Sequence, residues 1–154
     1  GLMIAEDGTP KVIEYNCRFG DPETQPIMMR MQSDMVELCL AAIEGELAGK
    51  EAKFDPRPAV GVVLAAGGYP GSYNKGDVIT GIPAATADSK TFHAGTKDSD
   101  GNVVTAGGRV LCATAMGSSV TEAQKLAYDE VNQIKWEGVE FRTDIAYRAI
   151  QREA

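Results

Sequence analysis

Several things are scarce in this chain. It has one histidine, one tryptophan and three cysteines in 154 residues. Cys17, Cys39 and Cys112 are far apart, odd in number and without zinc-type spacing. Cys39 and Cys112 fall in apolar patterns and read as small core residues. Cys17 reads as a packing residue too, because the sole histidine, His93, is too distant in sequence to suggest a thiol–imidazole pair. No apolar run approaches the length of a membrane span, and no signal peptide is visible. Positive charge is also short: 15 basic against 22 acidic residues give a net charge of −7. That balance argues against nucleic acid or an anionic membrane as the main partner. A phosphate-bearing ligand would have to meet local cations or a metal. The composition fits a soluble, cytoplasmic protein with one good core.

What is present divides near residue 57. Leu2–Ala5, the turn Glu6-Asp7-Gly8-Thr9-Pro10 and Lys11–Tyr15 read as a hairpin. Gly1 then falls inside the first strand, so the chain reads as a fragment cut within a larger unit. Asp21 and Thr24 can cap a short helix over 26–32, with Pro26 in its first turn. Asp34 and Glu37 have capping-box spacing at the start of a second helix, and Gly49 is its expected stop. Val36, Cys39, Leu40, Ile43 and Leu47 form a stripe on that helix, expected to be core.

Beyond the polar, proline-bearing connection 50–58, Ala59–Ala66 reads as a buried strand. The following Gly67-Gly68-Tyr69-Pro70-Gly71 reads as a tight turn, since no Lys-Ser/Thr follows at phosphate-loop spacing. Val78–Ile82, Thr91–Gly95, Val103–Ala106 and Arg109–Ala115 read as strands. Thr121–Gln133 reads as a helix with Val120, Ala123, Ala127 and Val131 on one side. Trp136, Val139 and Phe141 should pack nearby, and 144–152 read as a last short helix. The fold class is therefore α+β: a hairpin with helices over 1–57, then a small β-rich domain with flanking helices over 58–154.

The densest chemistry lies between residues 14 and 25. Glu14 and Asn16 are two apart on an expected strand, so both side chains would leave one face. A carboxylate and an amide oxygen so placed suit a hard cation such as Mg²⁺. Arg18 offers a planar fork for a carboxylate or phosphate. The same residues also allow a plainer structure. Glu14 could be a solvated side chain on an edge strand, and Arg18 could form a surface ion pair with Asp21 or Glu23.

The string RFGDPETQ at 18–25, preceded by VIEYNC at 12–17, resembles the signature of the phosphoribosylamine–glycine ligase (glycinamide ribonucleotide synthetase) family. Further similarity runs through QPIMMRMQSD (25–34), VVLAAGGYPGSY (62–73), FHAGTK (92–97) and GGRVLCATAMG (107–117). The resemblance implies the end of an ATP-grasp region followed by the family's C-terminal domain, in an enzyme of purine biosynthesis. It implies Mg²⁺ or Mn²⁺ held by Glu14 and Asn16, with ATP as co-substrate. It also implies small-molecule partners, namely glycine and 5-phosphoribosylamine, together with an upstream part of the same enzyme. Arg18 becomes the catalytic clamp on the glycine carboxylate or its acyl phosphate. Asp21 and Glu23 become substrate-binding or helix-capping residues. His93 and Arg109, with Thr96 and Lys97, form a second set that could face the ribose phosphate or could be ordinary surface groups. Two other readings are another ATP-grasp ligase and a β-rich carrier module. The carrier needs a lysine between apolar neighbours at a hairpin tip, a setting that Lys75, Lys90 and Lys97 lack.

Overall fold

The computed structural model describes residues 1–153. Strands β1 (Leu2–Ile4) and β2 (Pro10–Val12) pair antiparallel, with Leu2 opposite Val12. Gly8, at φ 84°, turns the hairpin, and Asp7 accepts from the Thr9 amide at 2.9 Å. Neither face of the hairpin is covered: Leu2, Met3, Ile4, Val12 and Ile13 are all more than half exposed.

Helix α1 (Thr24–Arg30) follows, then α2 (Met35–Glu44). The Asp34 side chain caps α2 by accepting from the amides of Val36 (2.8 Å) and Glu37 (3.2 Å). Glu37 does not complete a capping box; it pairs with Lys50 at 2.7 Å. The helix stops at Gly45, four residues before the expected Gly49. Gly45 is left-handed at φ 75°, and the Glu46 amide reaches back to the Ala41 carbonyl at 2.7 Å. The stripe on α2 is not core. Val36 is 67 % and Ile43 83 % exposed, Leu40, Leu47 and Cys39 are exposed too, and only Ala41 is buried. Helical spacing marks an apolar face without saying whether its cover lies within these 153 residues.

The core belongs to a four-stranded antiparallel sheet in the order β4 (Ser89–His93), β7 (Arg109–Met116), β3 (Ala59–Ala65), β8 (Glu140–Phe141). Alternation decides its two faces. Val60, Val62 and Leu64, opposite Ala115, Ala113 and Leu111, are buried beneath α3 (Val120–Val131), which presents Ala123, Ala127 and Val131. Thr91 of β4 joins this face and donates to the buried Glu130 of α3 at 2.8 Å. The other face carries Gly61, Val63 and Cys112, and α1 packs on it. A β-carbon at Gly61 would lie 2.9 Å from Cγ of Pro26, so this glycine lets the helix approach. Helix α1, read with the first 57 residues, thus packs on the sheet of the second part.

Ser119 caps α3 through the Glu122 amide at 3.1 Å. Glu153 of the closing helix α4 (Tyr147–Glu153) accepts from the Val120 amide at 2.7 Å. The small hairpin β5 (Thr96–Ser99) and β6 (Asn102–Thr105) completes the fold. Residues 78–82, expected as a strand, make only isolated bridges, Val78 to Val104 and Thr80 to Lys135. Strands β5 and β8 were absent from the sequence reading, because polar and two-residue strands carry no apolar alternation.

Candidate functional site

The described ladder runs over Pro10–Val12, and its register, with Leu2 opposite Val12, puts the positions that would face Glu14 and Asn16 before residue 1. Two backbone contacts carry the pairing past Val12: the Gly1 nitrogen donates to the Glu14 carbonyl at 2.8 Å, and the Ile13 amide to the Gly1 carbonyl at 2.9 Å. The side chains of both Glu14 and Asn16 are exposed and make no hydrogen bond or ion pair among the described residues. Hard oxygen donors that no protein cation neutralises fit a divalent ion. Two donors alone leave most of its coordination to other groups. No group of three or more His, Cys, Asp or Glu side chains placed to hold a metal occurs among the described residues.

Cys17, at φ 50°, turns the chain; its exposed thiol donates to the Tyr15 carbonyl at 3.4 Å, so it is not a packing residue. Cys112 is buried, as its pattern implied, and burial pushes its thiol up. The Arg18 guanidinium is exposed, with one donation to the Phe19 carbonyl at 3.2 Å. The RFGDPE turn is closed on itself: Glu23 accepts from the Gly20 amide at 2.6 Å, and the Thr24 hydroxyl donates to the Gly20 carbonyl at 3.1 Å. These bonds replace the caps expected of Asp21 and Thr24. Glu23 occupies the N-cap position of α1 without a side-chain capping bond.

Asp21 turns the other way. Its carboxylate meets the Arg109 guanidinium at 2.5 Å, joining the signature loop to the start of β7. Together they border a cavity of about 610 Å³ between the loop, α1 and the sheet. Phe19, Thr24, Gln25, Tyr69, Gly95 and Cys112 also line it. Gln25 Oε1 is buried there with no protein partner. Gly108 lies beneath Tyr69, whose ring would collide with any β-carbon at that position. The ring of Tyr69 meets that of Tyr73 edge-on at 6.1 Å. An apolar groove of about 600 Å³ adjoins the cavity, shares Pro22, Val63, Tyr69 and Arg109 with it, and ends on Phe141 and Ile145.

Of the second set, only Arg109 reaches the cavity. His93 shares the strand face of Thr91, which looks toward α3, and its Nδ1 lies 3.0 Å from the Thr96 hydroxyl. Alternation along β4 therefore turns its ring away from the side lined by Cys112. Tyr69, Gln25 and the glycines at 95 and 108 were missed as lining residues. The GGYPG turn was the available signal for Tyr69: an aromatic in a glycine-rich loop after a buried strand.

The fold and the site define an α+β unit with helix α1 packed on one face of its sheet and a polar loop at the border of a cavity. A family profile described as "Phosphoribosylglycinamide synthetase, C domain" matches residues 59–148, and one described as "Phosphoribosylglycinamide synthetase, ATP-grasp (A) domain" matches residues 1–24. The chain belongs to the phosphoribosylglycinamide synthetase family. It is similar to the phosphoribosylamine–glycine ligase of Vibrio vulnificus strain CMCP6, at 67 % identity over 154 residues. That alignment covers 99 % of this chain and 36 % of the relative. The ligase of Salmonella typhimurium is 61 % identical over 155 residues, with the same two coverages. The crystal structure of the Thermotoga maritima phosphoribosylamine–glycine ligase superposes with a TM-score of 0.73 at 40 % identity. It covers 94 % of this chain, which spans 35 % of that one. The chain thus spans about a third of the length of the relatives it matches.

Proposed function

We propose that this chain forms the closing part of the ATP-grasp region and the C-terminal domain of a phosphoribosylamine–glycine ligase of purine biosynthesis, acting in the cytoplasm. One observation carries the reading in the structure. The loop that follows the unpartnered donors Glu14 and Asn16 is held, through Asp21 and Arg109, at the border of a cavity large enough for a small polar substrate. The similarity over the whole chain to relatives bearing that name supports it.

In this reading an oxygen of the glycine carboxylate attacks the γ-phosphorus of ATP, and ADP departs. The amine of 5-phosphoribosylamine then attacks the acyl carbon, phosphate leaves, and the amine gives up a proton as the amide forms. Glu14 and Asn16 would hold Mg²⁺ or Mn²⁺, which supplies charge neutralisation at the phosphate oxygens. Arg18 pairs with the glycine carboxylate by its planar fork and stays on the acyl phosphate. The free carboxylate oxygen of Asp21 accepts from the substrate amine. Glu23 keeps the turn in shape through the Gly20 amide. The exposed hairpin and α2 face pack on the upstream part of the same enzyme. No nucleic acid or membrane takes part.

Steady-state ADP release by the full-length enzyme tests the proposal. Activity should need both glycine and phosphoribosylamine, and Glu14→Ala should lower it by roughly a hundred-fold or more, the scale of a lost phosphoryl-charge contact. ADP release indifferent to glycine, or unaltered by Glu14→Ala, would contradict it. This chain alone should bind Mg²⁺ only weakly, because water competes well for a two-ligand site. Tight binding in a calorimetric titration would count against the two-ligand account.

A further inference from the structure

We propose that Arg109 is a positioning residue: it serves the reaction by fixing the Asp21 carboxylate, and is not a cation for the substrate's phosphate. The inference rests on the ligase reading. Among the described residues, Arg109 is the only basic side chain lining the 610 Å³ cavity, and Asp21 is the only acidic one. They meet at 2.5 Å, so the cavity offers a phosphate no uncompensated positive charge. A phosphate captured there would lie beside the Asp21 carboxylate, whose like charge opposes the dianion.

The rest of the loop explains why Asp21 needs a partner. Its turn is closed by Glu23 and Thr24, both bonded to the backbone of Gly20, and neither touches the Asp21 carboxylate. Among the described residues, Arg109 is the only side chain paired with that group. The arginine itself springs from a firm base. It opens β7, pairs with Ala65 of β3 across a register shift, and follows Gly108, on which Tyr69 rests. The pair is part-exposed, at 42 % and 60 %, and pairs so exposed contribute little to stability. A contact that joins two parts of the chain, stabilises little and orients one carboxylate at the site acts on substrate geometry.

A double-mutant cycle in the full-length enzyme separates the two roles. Arg109→Ala should lower kcat/KM roughly ten-fold through kcat, since small misplacements of reacting groups carry penalties of that order or more. The KM for phosphoribosylamine should stay within about two-fold, and adding Arg109→Ala to Asp21→Asn should bring no further loss, as expected for residues acting as a unit. Additive losses, or a KM for phosphoribosylamine raised with kcat intact, would overturn the proposal. An enzyme with no glycine-dependent activity would fail the ligase reading first. Amide exchange of Gly20, Asp21 and Glu23 in this chain then gives an independent outcome. Faster exchange in Arg109→Ala supports the tether, and unchanged exchange overturns it.

Discussion

A side chain at position 108 would strike the ring of Tyr69, so the shape of the cavity depends on one absent methyl group. Gly108→Ala should cost about 1–3 kcal/mol in urea unfolding, the usual range for forced overpacking. In a Tyr69→Ala background the same change should cost much less; an equal cost in both would show that backbone conformation, not the ring, is responsible. Residue identity was the best legible level at this site. Glu14, Asn16, Arg18, Asp21 and Glu23 stand out as a dense polar string in the sequence. The direction each one points was not legible there. Asp21 turns to Arg109, 88 positions away, and Glu23 turns back to Gly20. His93 drops from the cavity lining because of strand parity, which shows only once β4 is paired with β7 in its register.

At the scale of elements, α2 joins a good cap to an uncovered face. Asp34→Ala should cost about 1 kcal/mol, the usual value of an N-cap side chain, read as lost helical circular dichroism and a lower denaturation midpoint. Ile43→Asp, on a side chain 83 % exposed, should change the stability of this chain by no more than about 0.5 kcal/mol. The same substitution should abolish association with the upstream portion of the enzyme, measured by co-purification. Unimpaired association would mean that the α2 face is not the contact. Patterning made the strong elements readable in advance: β3 and β7 by their apolar runs, α3 by its Ala123–Ala127–Val131 side. It could not reveal β5, whose TKDS is polar, nor β8, which exists only because Leu64 and Ala65 offer it a free edge. The α2 stripe misled for a related reason: periodicity identifies a face, and burial depends on what is brought against it.

The whole molecule is uneven. Its core lies between one sheet face and α3, while the hairpin and α2 hold most of the exposed large apolar side chains. Leu64→Ala should therefore cost about 2–5 kcal/mol and unfold the sheet domain. Acid should weaken the surface of that domain in a defined window. Hydrogen bonds from Arg57 hold Asp55, and those from Ser118 hold Glu122, below their ordinary values of 3.8 and 4.5. A carboxylate depressed in the folded state adds stability above its unfolded value and loses it as pH falls through the folded value. The melting temperature should hold steady from neutral pH to about 4.5 and decline below it. Glu122→Gln should flatten part of that decline. The central claim, that these residues complete a ligase whose other parts lie upstream, is tested most directly by complementation. ADP release would be measured with ATP, Mg²⁺, glycine and fresh phosphoribosylamine for this chain, for the separately prepared upstream portion, and for their mixture. The account predicts turnover in the mixture alone, lost with Glu14→Ala. A mixture that assembles yet turns over nothing, or turnover by the upstream portion unaided, would contradict it.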